Sequence, residues 1–239
     1  MQPYLEPLIK FLGLRFLVAL EPTLPPTSHC TMNKIEVARR QLGTALSLYL
    51  DDRDPVSTHV LACAGMEVAD HLSFKAGAHP FKLFRQAETP TLTNKEYSEL
   101  RGHFANAFKH AEKRPGIERD DRAIFADFSD LQNDDRLFIG WFDFACPGNA
   151  HPMESHVFQA WYLALHPSRL QSPHGLELLR DLSGVFPNLP ELPRQKQKAR
   201  LRKEIEKAKK NRRLMGDPLV DRRSLRLGPV VNSLNQPLV

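Results

Sequence analysis

The stretch NKIEVARRQLGTALSLYLDDRDPVSTHVLACAGMEVADHL, residues 33–72, decides the fold of this chain. Apolar residues recur every three or four positions in both of its halves, which predicts two amphipathic helices. Asn33 is a suitable N-cap for the first helix, and Asp54 caps the second, with Pro55 at its first helical position. Because only residues 51–53 lie between them, the two helices are expected to form an antiparallel pair.

The same periodicity continues along the chain to residue 186. Thr93 and Glu96 have the spacing of a capping box at the start of a central helix, and Pro115 with Gly116 is expected to end it. Further helices are predicted over residues 80–86, 136–146, 152–165 and 175–186, while residues 123–130 fit a short strand or a helical turn equally well. The fold class predicted is all-α, a helical bundle with disordered or loosely attached N- and C-terminal segments.

Residues 1–31 and 187–239 differ in composition from the bundle domain over 33–186. The apolar run 5–20 contains three charged residues and is too short to span a bilayer, which needs roughly 20 apolar residues. Met32 resembles a natural translation start, so residues 1–31 are interpreted as an extension that is not native; a short amphipathic helix is the alternative. Residues 187–193 fit a linker, 194–213 a basic helix, and 215–239 a disordered tail.

The positive charge of the chain is concentrated near its C-terminus. Residues 194–213 carry eleven Lys or Arg and two Glu, an excess larger than the net charge of +5 of the whole chain. The rest of the protein is therefore mildly acidic, and a basic pI alone does not indicate nucleic-acid binding. Three widely spaced cysteines without a CxxC pair argue against a disulfide scaffold and favour a cytoplasmic location.

Several classes of site are excluded or disfavoured by the sequence. GxGxxG, Walker and GxSxG motifs do not occur, so no nucleotide cofactor and no hydrolase elbow is predicted. A possible metal-ligand series steps by four residues through His59, Cys63, Glu67 and His71. Each step of four drifts by about 40° around a helix, so we expect no metal site there.

The central segment ELRGHFANAFKHAEKRP, residues 99–115, carries the candidate catalytic residues. On a helix, His103, Asn106 and His110 form one polar stripe beside an apolar side made of Leu100, Phe104, Phe108 and Ala111. A histidine at the edge of a cleft can transfer protons, and Asn106 is placed to orient His110 or a phosphate. Lys109 and Arg114 would supply positive charge for that phosphate. The alternative is a half-exposed helix with two histidines on its polar side.

The element Asn-Ala-Phe-Lys-His-Ala, residues 106–111, resembles the functional motif of HEPN-like all-helical domains. In that family four to six residues separate an Arg, often followed by a polar residue, from a His. Asn106 and His110 match the polar residue and the histidine, but Ala105 occupies the arginine position. Arg101 lies nine residues before His110, on the opposite side of a helix. Stretches of the chain are also similar to uncharacterised helical bacterial proteins.

The resemblance implies an RNA-interacting domain, and the missing arginine favours a binding module over an enzyme. The leading hypothesis is a HEPN-like module that binds RNA or another protein, with no membrane span; a homodimer is left open. A metal-independent ribonuclease that uses His110 as acid and base is the first alternative, and a structural or regulatory helical protein is the second. The candidate nucleic-acid contacts are Lys109, Arg114, Arg202, Lys203, Lys209 and Lys210. The basic segment has no aromatic side chain for base stacking.

Overall fold

A computed structural model describes residues 32–78, 81, 91, 93–170 and 173–228 of the protein. The predicted N-terminal extension, the core of the predicted helix over 80–86 and the last eleven residues lie outside this part. The α-helices of the described part are α1 Lys34–Leu50, α2 Pro55–Lys75, α3 Asn94–Lys109, α4 Arg122–Asp127, α5 Gln132–Ala145, α6 Met153–Leu165, α7 Pro173–Val185, α8 Arg194–Lys210 and α9 Arg212–Met215. The prediction of an all-α fold is confirmed.

Strands contribute only two short pairs to the described residues. β1 (Glu112–Arg114) pairs antiparallel with β2 (Ile117–Glu118). β3 (His151–Pro152) pairs in parallel with β4 (Val220–Asp221). None of the described helices is long and apolar enough to cross a membrane.

The chain divides into two compact units. The described residues up to 144, together with 226–228, belong to the first unit, and the described residues from 145 to 225 belong to the second. The predicted domain boundary at residue 187 therefore falls inside the second unit. Helix α8 belongs to that unit because it packs against α6.

In the first unit, α1 and α2 pack against each other more extensively than any other pair of elements. Both predicted N-caps are confirmed: Asn33 Oδ1 accepts a hydrogen bond from the Glu36 amide, and the Asp54 carboxylate accepts from the Ser57 amide. The Thr93 capping box is also present. These side chains satisfy amides that have no partner within the first turn of a helix.

Helix α3 ends earlier than the sequence indicates. Its last residue is Lys109, and His110 already has extended backbone angles of φ −126° and ψ 117°. Pro115 and Gly116 form the turn of the β1–β2 hairpin instead, with Gly116 at φ 77°. The glycine supplies the left-handed conformation that this turn needs, so the chain reverses there as a hairpin after the helix has ended.

In the second unit, helix α8 is firmly packed. Leu201, Ile205 and Ala208 are buried, and the Trp161 indole on α6 donates a hydrogen bond to the Gln197 carbonyl at 3.0 Å. The thin apolar stripe in the sequence is sufficient to fix the helix because α8 packs against α6. The basic helix is confirmed as a helix, but it is not a loosely attached segment. Part of the predicted disordered tail is likewise ordered, since residues 220–221 form β4.

Candidate functional site

An open groove of about 790 Å³ in the first unit lies where α3 runs into the β1–β2 hairpin. Two predicted site residues, Lys109 and His110, line it. Its other walls are formed by Phe108 and Phe125 and by the charged residues Glu112, Glu118, Arg119, Asp120, Asp121 and Arg122. The rings of Phe108 and Phe125 are stacked, with centroids 5.9 Å apart and planes 12° from parallel. The groove thus combines one apolar wall with a dense set of charges.

The charges of this groove largely neutralise each other. Arg119 donates two hydrogen bonds to Asp121, at 2.7 and 2.9 Å, and Arg122 donates two to Asp120, each at 2.9 Å. Its hydrogen bonds to the Asp121 carboxylate raise the pKa of the Arg119 guanidinium. Besides these two pairs, the groove is lined by Lys109, Glu112 and Glu118. Such a balance gives phosphate little electrostatic advantage.

The predicted stripe of His103, Asn106 and His110 does not form one site. His103 and Asn106 are exposed on α3 but do not line the groove, whereas His110 lies beyond the end of the helix. The Asn106 amide nitrogen lies 2.7 Å from the position that a Cβ on Gly102 would take, so this side chain leans back along the helix. The hydrogen bond recorded between Asn106 and His110 joins their backbones, at 3.1 Å. The side chain of Arg114 is outside the described part.

Arg101, the nearest arginine upstream of the motif, serves the core of the first unit. It pairs with Asp70 of α2 at 3.1 Å, and its guanidinium lies 5.4 Å from the centre of the Tyr97 ring. An arginine held in this way fixes α3 on α2. It is therefore unavailable to replace the arginine of the motif, whose position is occupied by Ala105.

The apolar side predicted for α3 is only partly right. Phe104 and Phe108 pack edge-on against the buried His59 ring, together with Phe128. Leu100, in contrast, is 60% exposed, and Ala111 lies on the surface after the helix. The neighbouring α2 therefore meets a face that is rotated toward Tyr97 and Ala105.

The His59 series on α2 does not assemble a metal site. His59 and Cys63 are buried, whereas Glu67 and His71 are exposed on another side of the helix. Over the described residues, no cluster of three or more histidine, cysteine or acidic side chains could hold an ion. His59 Nδ1 bonds the Asn133 Oδ1 at 2.9 Å, and burial lowers its pKa from 6.5 to about 4. It is a neutral core histidine.

A second candidate surface lies on α8 in the second unit. At 100° per residue, five basic side chains fall within an arc of about 80° along the helix. We define this cationic face as Lys196, Arg200, Lys203, Lys207 and Lys210. The four lysines are exposed and Arg200 is half-buried. The buried residues Leu201, Ile205 and Ala208 lie on the other side of the helix.

The structure separates the predicted contacts on this helix into two groups. Lys203 and Lys210 belong to the cationic face. Lys209 instead bonds Glu154 of α6 at 3.0 Å, which raises the pKa of its ammonium group, and Arg202 is half-buried beside the packed side. Sequence reasoning missed Lys196 and Lys207, although their spacing of seven and four residues from Lys203 is a helical signal.

No protein-family model, curated protein or solved structure matches the chain, so the resemblance to HEPN-like domains stays a prediction from the sequence.

Proposed function

We propose that the protein is a non-enzymatic helical module that binds RNA, independently of sequence, through the cationic face of α8. The observation that carries this proposal is that a packed helix holds these five side chains in one row. Because α6 immobilises the opposite side of α8, the row is preformed and does not have to be ordered on binding. The charges span about 21 Å along the helix axis.

The charge balance favours a polyanion at α8 over the groove beside His110. Lys207 is partly neutralised by Glu204 at 2.6 Å, but the described part contains no ion-pair partner for Lys196, Lys203 or Lys210. Contacts of this kind attract phosphate by releasing counterions, and the affinity falls steeply with salt. In the absence of an aromatic platform on this face, the binding is expected to be indifferent to base identity.

The test is a titration of fluorescent single-stranded RNA with the full chain at several salt concentrations. If the row contacts five phosphates, the logarithm of the affinity should fall with the logarithm of salt with a slope of about −3.5. A Lys196→Gln, Lys203→Gln, Lys210→Gln variant should bind more weakly and lose about two units of slope. Lys207 is left intact because its loss would strand the buried Glu204 carboxylate.

The matched control is a Lys34→Gln, Lys75→Gln, Lys95→Gln variant, which removes the same charge from exposed positions of the first unit. We expect it to keep the native slope. If both variants weakened RNA binding equally, the effect would come from net charge and not from the cationic face. An unchanged affinity in the α8 variant would refute the proposal.

The same RNA tests the ribonuclease alternative at His110. We expect intact RNA after incubation with EDTA, because Ala105 occupies the arginine position and Asn106 leans away toward Gly102. Cleavage that is lost in His110→Ala, but kept in His103→Ala, would support the enzyme instead.

A further inference from the structure

Two buried histidines lie face to face where α6 begins. His151 and His156 are 2% and 1% exposed, and their ring centroids are 3.7 Å apart with planes 19° from parallel. Both residues reach the same carbonyl. The His151 amide donates to Leu219 O at 3.0 Å, and His156 Nε2 donates to it at 3.3 Å.

The hydrogen bonds assign one proton to each ring. A carbonyl can only accept, so His156 carries its hydrogen on Nε2. Ser155 uses its single hydroxyl hydrogen to bond Pro152 O at 2.7 Å. His151 Nδ1 lies 2.7 Å from Ser155 Oγ and must therefore donate to it. His156 Nδ1 is then a bare acceptor, buried and without a hydrogen-bond partner in the described part of the chain. The His151 backbone raises the pKa of His156, but less than burial lowers it, so a second proton on this ring stays disfavoured.

The charges around the pair do not offset the burial that disfavours an imidazolium. The Asp217 carboxylate raises the pKa of His156, but less than burial lowers it, and it already accepts a hydrogen bond from the Leu219 amide at 2.8 Å. Glu154 on α6 is paired with Lys209. The positive end of the α6 dipole opposes further positive charge at its first turn.

The remaining nearby carboxylate is also engaged. Asp221, on β4, forms an ion pair with Arg223 at 3.0 Å. A charged His156 would also repel any charge on His151, one ring away. The closed arrangement is therefore built for two neutral rings.

We propose that His151 and His156 form a pH-sensitive clasp, which holds residues 217–221 against the start of α6 when both rings are neutral and releases them on protonation. Release frees Nδ1 and Nε2 of His156 to meet water and breaks the β3–β4 pairing at Leu219. The inference does not depend on RNA binding.

The change in pKa that burial imposes on His156 sets the size of the expected pH effect on opening. Desolvation lowers its pKa from 6.5 to about 4 in the closed form. An open form with an ordinary histidine binds the extra proton more tightly, so opening should become on the order of tenfold more favourable between about pH 7 and about pH 5.

Hydrogen–deuterium exchange of the full chain tests the clasp in peptides that cover 150–153 and 217–222. Each rate is divided by that of an unstructured peptide of the same sequence at the same pH. We expect protection of both peptides to fall on the order of tenfold across this pH range. His156→Gln keeps an amide donor for Leu219 O but cannot be protonated, so it should remove the pH dependence.

His103→Gln, at an exposed position of the first unit, should leave the pH dependence at the native value. His151→Gln gives an independent variant should His156→Gln fold poorly, and it should weaken the dependence. Protection that stays constant with pH in the native chain, or a native pH dependence in both clasp variants, would overturn the inference.

Discussion

At the residue scale, Leu42 is the side chain at which three helices of the first unit meet. It is fully buried, and it approaches both Gly65 of α2 and Gly140 of α5. A Cβ at Gly65 would lie 2.7 Å from Leu42 Cγ, and one at Gly140 would lie 2.5 Å from Leu42 Cδ2. Three helices can meet at this leucine because two of them lack a side chain there.

Gly65→Ala and Gly140→Ala should each destabilise the protein by about 1–3 kcal/mol, since the added methyl group overlaps a side chain that cannot move away. Urea unfolding followed by circular dichroism measures the loss. Gly102→Ala is the matched control, because its Cβ would meet only the flexible end of Asn106. A stability loss as large as at Gly65 would contradict this explanation.

His110 shows that residues grouped by a sequence motif can lie in different surroundings in the folded protein. In the sequence it belongs with His103 and Asn106, but the helix ends one residue before it. It therefore lines a groove together with Arg119 and Asp121, whereas His103 does not. The lining of the groove therefore consists largely of paired opposite charges, Arg119 with Asp121 and Arg122 with Asp120.

At the scale of elements, α8 combines two opposite surfaces. One side is buried against α6 and holds Gln197 and Trp161 in a shared hydrogen bond. The other side presents the cationic face to solvent. Because the apolar side is buried, it exposes no hydrophobic surface to solvent. The same packing fixes the orientation of the basic side.

Leu201→Ala should destabilise the second unit by about 2–5 kcal/mol, because it opens a cavity between α8 and α6. Lys203→Ala, two residues away on the exposed face, should change stability by less than about 0.5 kcal/mol. Thermal unfolding of both variants distinguishes a packed helix from an attached tail. If Leu201→Ala were as neutral as Lys203→Ala, α8 would not be packed in solution.

At the scale of the whole molecule, the described part of each unit contains a buried histidine with a strongly lowered pKa, His59 in the first and His156 in the second. Burial lowers the pKa of both from 6.5 to about 4. Between these values the unfolded chain binds more protons than the folded one, so the free energy of unfolding rises with pH in that range. Both contributions are complete above pH 6.5 and are lost as the pH falls toward 4.

The expected loss is about 3 kcal/mol for each histidine from about pH 7 to about pH 4. Urea unfolding at intermediate pH values measures it. His59→Gln, which keeps an amide donor for Asn133, should lose less stability with acid than the native chain. If the native chain and this variant had parallel pH profiles, His59 would not titrate as described.

The sequence by itself determined the helices, their caps and the location of the positive charge, because these depend on neighbours within a few residues. Asn33, Asp54 and the Thr93 capping box act on amides in their own first turn. Only the tertiary structure decided at which residue α3 ends. It also decided whether Arg101 could replace the arginine of the motif and whether α8 packs against the rest of its unit. Those outcomes depend on partners far along the chain: Asp70 holds Arg101 across 31 positions, and Gln197 meets Trp161 across 36. A local sequence pattern does not specify such long-range contacts. For this reason the histidines of the predicted stripe do not share one site in the structure, and the basic segment is a packed helix.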